Sequence, residues 1–244
     1  MARTPSRSLD RLVEEQLARW HSMKAERKRE DARPGPVITV SREAGSGGSE
    51  IARRLARELD MDLIGAQIIQ QIAERSDMSE KVIASLDEKD VTKRDSWLTS
   101  LFRTRHLWPD EYLQYLTRVI GTIGKQGNTV VVGRGANFIL PPEETFRLRL
   151  IAPREIRIAN VMRDSGADFE NSERYVFKTD GDRAAFMRKH FHADWADPIH
   201  YDLIVNTGKL GVEGAVAAIK QAFLFWKERR PGRASRETGR RDRP

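Results

Sequence analysis

Val37-Ile38-Thr39-Val40-Ser41-Arg42-Glu43-Ala44-Gly45-Ser46-Gly47-Gly48-Ser49 decides how this chain is read. Residues 37–41 have the β-branched, apolar character of a short buried strand. Three glycines in four positions follow, and a helical pattern begins at Ser49. Glycines there let backbone amides turn inward and approach an anion closely. The helix that follows adds its open N–H groups and the positive end of its dipole at the same spot. The alternative is a tight strand-to-helix connection that binds nothing.

Beyond this stretch, short apolar runs at 62–64, 129–133, 146–151 and 201–205 read as strands. Helical patterns fall at 49–59, 66–75, 79–86, 111–125, 154–163, 180–190 and 212–226. Strands alternating with helices predict an α/β fold with a parallel sheet of about five strands, covered on both faces. Residues 87–109 break the rhythm with mixed charges and Trp97, Phe102 and Trp108.

Two ends flank this body. Residues 8–30 carry Leu9, Leu12, Val13, Leu17, Trp20 and Met23 at helical spacing. That stripe can dock on the body, pair with a second subunit in a homo-oligomer, or lie on a membrane surface. Mixed charges on its polar face favour the first two. We therefore divide the chain into a helical extension, 1–34, an α/β body, 35–227, and a basic tail, 228–244, expected to be disordered.

The chain has 244 residues and a net charge of +7. Residues 1–36 carry +3 and 227–244 carry +5, which leaves the body near neutrality at −1. The basic character therefore lies in the ends, which weakens a nucleic-acid reading except through the tail. With no cysteine, disulfide scaffolds, thiolate metal sites and cysteine nucleophiles are excluded. No apolar run reaches membrane-spanning length and the first residues lack a signal-peptide core, so the expected location is cytoplasmic.

Against the Walker A pattern G-x-x-x-x-G-K-[ST], residues 42–49 read R-E-A-G-S-G-G-S. Arg42 replaces the first glycine and Gly48 the lysine, while Ser49 keeps the hydroxyl that can ligate magnesium. Arg42 is the candidate for the missing cation, since a guanidinium grips phosphate oxygens bidentately. A second candidate, Arg134, stands between Gly133 and Gly135 at the end of a buried strand, where open α/β sheets place ligands. Arg154, Arg157 and Arg163 recur along one helix, with Lys178-Thr179-Asp180-Gly181-Asp182-Arg183 beyond it. Arg154 and Arg157 are expected to share a face. Phosphoryl transfer needs cations around the migrating oxygens, alignment and exclusion of water. For each arginine the plain alternative is a solvated surface charge. His190, His192 and Asp194 suggest a metal site, but without a third placed ligand the histidines read as capping or packing residues.

Together, ITVSREAGSGGSEIARRLA, VVVGRGANFIL, the RLRLIAP strand, KTDGDR and YDLIVNTGKLGVEGA resemble the cytidylate kinase-like family, over about residues 37–223. This is a branch of the P-loop nucleoside monophosphate kinases in which the loop commonly lacks the lysine. The resemblance implies a P-loop NTPase-type three-layer αβα core, a monophosphate-binding segment and a lid. It implies ATP on Gly45, Ser46, Gly47, Gly48 and Ser49, with Mg2+ at Ser49. It implies catalytic roles for Arg42, Arg154 and Arg157, and contacts to the acceptor nucleotide from Arg134, Asp180 and Arg183.

Two departures bear on activity. Val132 stands where classical cytidylate kinases end the third strand with an acid, and Ile64-Gly65 stands where relatives in this branch often show a Tyr-Asp pair. The expectation is ATP-dependent phosphoryl transfer to a nucleoside monophosphate, CMP or dCMP first. Its rivals are a non-catalytic nucleotide sensor, a kinase of another small acceptor, and a nucleic-acid-binding protein.

Overall fold

The computed structural model of the chain describes residues 35–74 and 111–230. The expected N-terminal helix, the helix at 79–86, the segment 87–109 and nearly all of the basic tail lie outside them. The described residues fall into two compact units.

The larger unit holds a five-stranded, wholly parallel sheet. Its strands are β1 (Val37–Arg42), β2 (Asp62–Ile64), β3 (Thr129–Val132), β4 (Thr145–Ile151) and β5 (Leu203–Asn206), in the spatial order β2-β3-β1-β4-β5. β1 is therefore central, paired through Val37↔Thr129 on one side and Val37↔Thr145 on the other. The chain winds to one side of β1 through β2 and β3, then crosses to the other through β4 and β5. The carboxyl end of β1 is the topological switch point, the place where such sheets bind ligands.

Helix α1 (Gly48–Glu58) starts directly after the glycine loop. It buries Ile51, Ala52 and Leu55 against Ile38, Val40, Val130, Phe146, Leu148 and Leu150 from the sheet. The last long helix, α7 (Thr207–Arg229), closes the same core with Val216, Ile219 and Phe223. Each such side chain taken fully from water stabilises the fold by about 1.5–3 kcal/mol. The smaller unit contains α2 (Ala66–Glu74) and α3 (Glu111–Gln126), which pack on one another.

Four details depart from the sequence reading. A short helix, α4 (Ala136–Ile139), follows β3 directly. Helix α5 (Arg154–Ser165) packs on α6 (Phe169–Phe191), which begins eleven residues before the expected 180. Asp168 caps it by accepting a hydrogen bond from the Asn171 amide, and Gly181 lies inside it. With few apolar positions α6 has no strong stripe, so only its second half, 180–190, reads as helix from the sequence. α7 begins at Thr207, capped by Asn206, five residues before the expected 212, and bends at Gly211.

Candidate functional site

The loop between β1 and α1 is the floor of a cleft of about 1040 Å³. One wall is α5 and α6, represented by Asn160, Val161, Tyr175 and Arg183; the other is Thr207, Gly208, Gly211 and Val212 at the start of α7. That volume lies at the upper end of the range for small-molecule sites. All loop residues expected to hold ATP, Gly45, Ser46, Gly47, Gly48 and Ser49, line the cleft. The Ser46 hydroxyl is buried and donates to the Glu43 carbonyl at 2.9 Å. Ser49 is exposed in the first turn of α1, where backbone amides lack intrahelical acceptors.

The loop is stitched to its surroundings along its whole length. The Ala44 amide donates to Asp180 Oδ1 at 2.8 Å, and the Asn160 side-chain amide donates to the Gly45 carbonyl at 2.8 Å. The Thr207 hydroxyl donates to the Ser46 carbonyl at 2.9 Å. Gly45 has φ +75, and a β-carbon there would lie 2.3 Å from the carbonyl oxygen of Arg157. Only glycine lets α5 approach so closely.

Arg42 ends β1, and its Nε is buried with no hydrogen-bond partner among the described residues. Burial, followed by the charges of Arg183 and Arg134, holds its guanidinium down to about 10, below the ordinary arginine range. Arg183 donates to the Arg42 carbonyl at 2.8 Å, and burial lowers its pKa against the opposing pull of Asp180. Arg134 adopts φ 55 between two glycines and stands over the Phe186 ring at 5.9 Å. The structure thus gathers Arg42, Arg134 and Arg183 from three separate stretches of sequence into one field of positive charge.

It separates Arg154 from Arg157. The Arg154 side chain, 50% exposed, pairs with Glu173 and lies over the Phe177 ring at 4.7 Å. The Arg157 side chain, 13% exposed, turns inward to Glu43 at 3.4 Å and Asp180 at 2.5 Å. Residues three apart on a helix diverge by about 60°, enough for one to meet solvent and the other the loop. Asp180 likewise faces the loop amide and two arginines. Arg163, paired with Asp164, is on the cleft rim.

Sequence reading gave no role to Glu43 or Arg149. Glu43 accepts from the Ala152 amide at 3.1 Å and sits between Arg157 and Arg149. Arg149 is 4% exposed, donates to the Trp195 carbonyl at 2.6 Å, and stacks on the Trp195 ring at 4.4 Å. A charged residue within a strand of a parallel sheet was the available signal, because such a charge demands a buried partner. Tyr175 carried no comparable signal, and residues 207–212 entered the sequence reading only within YDLIVNTGKLGVEGA, with no role assigned.

His192 is the left-handed C-cap of α6, the His190 ring lies 4.7 Å from Phe186, and Asp194 accepts from the Ala196 amide. Among the described residues no cluster of three His, Cys, Asp or Glu is placed to hold a metal, and no helix is long and apolar enough to cross a membrane.

The sequence model of the cytidylate kinase-like family matches residues 37–209. A cytidylate kinase of Ignicoccus hospitalis is 25% identical over 189 residues, covering 77% of this chain and 99% of that protein. One of Pyrococcus horikoshii is 26% identical over 188 residues, covering 77% and 88%. A crystal structure of an uncharacterized protein from Eubacterium ventriosum shares the fold, with a TM-score of 0.58 at 19% identity, covering 77% of this chain and 97% of its own.

Proposed function

The chain belongs to the cytidylate kinase-like family, and from that premise we propose that it transfers the γ-phosphoryl group of ATP to a nucleoside monophosphate, CMP or dCMP first. The observation that carries this reading is the crowding of Arg42, Arg134 and Arg183 beside a glycine loop. After burial, Arg183 and Arg134 lower the proton affinity of Arg42, Arg134 also lowers that of Arg183, and Asp180 is an acid that offsets both. Three cations held together against their own repulsion suit an anion with several oxygens. Phosphoryl transfer between two nucleotides supplies one, and it requires little beyond positioning and charge stabilisation.

In this reading the amides of 45–49 hold the donor phosphates, and the cleft toward Thr207–Val212 takes the donor's base. Arg42 supplies the charge of the absent lysine. Arg134 and Arg183 hold the acceptor phosphate, whose own oxygen is the nucleophile, so no general base is needed. Arg154 and Arg157 serve the arrangement of α5 and α6. The exposed Ser49 hydroxyl fits a magnesium ion held mainly by nucleotide oxygens, since Val132 offers no strand-end carboxylate. Bound there, magnesium would neutralise charge between the β- and γ-phosphates.

The rival is ATP binding without transfer, favoured by Val132 and by the two carboxylates on Arg157. ADP formation from Mg-ATP, measured with CMP, dCMP, UMP, AMP, GMP or no acceptor, separates the two. ADP with the matching diphosphate names the acceptor. ATP binding with background ADP for every acceptor supports the rival.

A further inference from the structure

Asp180 is a residue the family resemblance sends to the acceptor nucleotide, yet both its oxygens are occupied within the protein. Oδ1 accepts from the Ala44 amide at 2.8 Å and from Arg183 Nη1 at 3.3 Å. Oδ2 accepts from Arg157 Nη1 at 2.5 Å. Its side chain is 18% exposed. A carboxylate is the side chain able to accept from an amide and two guanidiniums together, because it has about four lone-pair directions and no proton to place.

Each partner leads to the loop. Ala44 is the residue before Gly45. The Arg183 nitrogen held by Asp180 also donates to the Arg42 carbonyl, which fixes Arg183 alongside Arg42. Arg157 reaches the Ala44 carbonyl at 3.4 Å, and its Nε lies 3.4 Å from Glu43. Arg157 is thus balanced by two carboxylates, while Arg42 has no such pair among the described residues. One carboxylate therefore orients three groups: the first amide of the loop, the arginine beside Arg42, and the helix carrying Arg157.

We propose that Asp180 is a positioning residue that locks the phosphate loop to α5 and sets Arg183 beside Arg42, acting through Ala44 and Arg157 and not by touching the acceptor. Its catalytic consequence rests on the kinase reading; its effect on the loop does not.

The test has two arms on the full chain. In the first, hydrogen exchange of the Ala44 amide is followed by NMR without nucleotide. Asp180→Ala removes the acceptor and should speed exchange at least tenfold, whereas Asp180→Asn retains a carbonyl oxygen and should keep most of the protection. Unchanged exchange in Asp180→Ala overturns the proposal. In the second, Asp180→Asn should lower kcat about tenfold while KM for ATP and for the acceptor stays within threefold. Combined with Arg157→Met it should cost little more than either change alone, since both break one contact. A selective rise in acceptor KM, or fully additive losses, overturns it. A wild-type chain that phosphorylates no nucleotide refutes the kinase reading, and the exchange arm still decides the positioning role.

Discussion

A β-carbon at position 48 would lie 2.6 Å from Cβ of Arg42 and 2.9 Å from its Cγ. The arginine at the end of β1 therefore fills the space that any side chain at the usual lysine position would need. Glycine at 48 and arginine at 42 are one steric solution, read from two places in the sequence. Gly48→Ala should cost about 1–3 kcal/mol through overpacking. Arg42→Gly, which removes both obstructing carbons, should cost less on the Gly48→Ala background than on the native one. Urea denaturation of the four variants measures this coupling, and strictly additive costs would remove the steric link.

Arg42→Ala should lower turnover at least tenfold, about 1.4 kcal/mol of transition-state stabilisation. An unchanged rate would take Arg42 out of the reaction.

The lowered proton affinity of Arg42 has a sign that can be tested. Its folded value of about 10 lies below that of an ordinary arginine, so between the two the unfolded chain holds the extra proton. Its contribution to stability therefore rises with pH across that window, and the burden of its burial is fully present below it. A bound polyphosphate favours the charged form. Affinity should then fall as pH rises through about 10, and binding near that pH should take up a proton. Calorimetry of pyrophosphate binding in buffers of different ionisation enthalpy reads the uptake, which Arg42→Ala should diminish.

Gly45→Ala places a β-carbon 2.3 Å from the Arg157 carbonyl at a backbone angle of φ +75. Both effects act together, and a loss of about 2–4 kcal/mol is expected from overpacking and strain. Faster amide exchange along α5 would locate the damage at the loop contact.

Arg149→Met keeps the length and apolar stem of the side chain while removing its charge. The Trp195 carbonyl then loses a donor, although Tyr201 still donates to it at 2.6 Å, and Glu43 keeps Arg157. The expected cost is roughly 1–3 kcal/mol. Thermal unfolding checks it, and a more stable variant would show that the buried pair costs more than it returns.

Much of the larger unit was legible because its signals are local. All five strands were expected within a few residues, since buried parallel strands read as short apolar runs between turn signals. The loop was legible because its turn into α1 takes the left-handed backbone that glycine favours, at Gly45 and Gly47. What was hidden depended on pairing between distant residues. Arg154 and Arg157 look alike in sequence, and Glu173, Glu43 and Asp180 decide which of them turns inward. The Ala44 amide that Asp180 accepts from lies 136 residues away, and nothing in KTDGDR reveals it. Helix α6 was cut short because its few buried positions, Ser172, Val176 and Met187, leave little periodic apolar signal.

The central place of β1 also bears on how the chain is made. Its first residue pairs with Thr129, 92 residues later, and the opposite edge waits for Thr145. At about 5–20 residues per second, synthesis leaves roughly 5–20 s between the emergence of β1 and that of its first neighbour. During that interval Ile38 and Val40 have no strand beside them, and both edges of β1 present unused hydrogen-bonding groups. The strand that organises the cleft is thus the one the nascent chain must shelter longest, and the ribosome's pace over residues 43–128 sets the length of that interval.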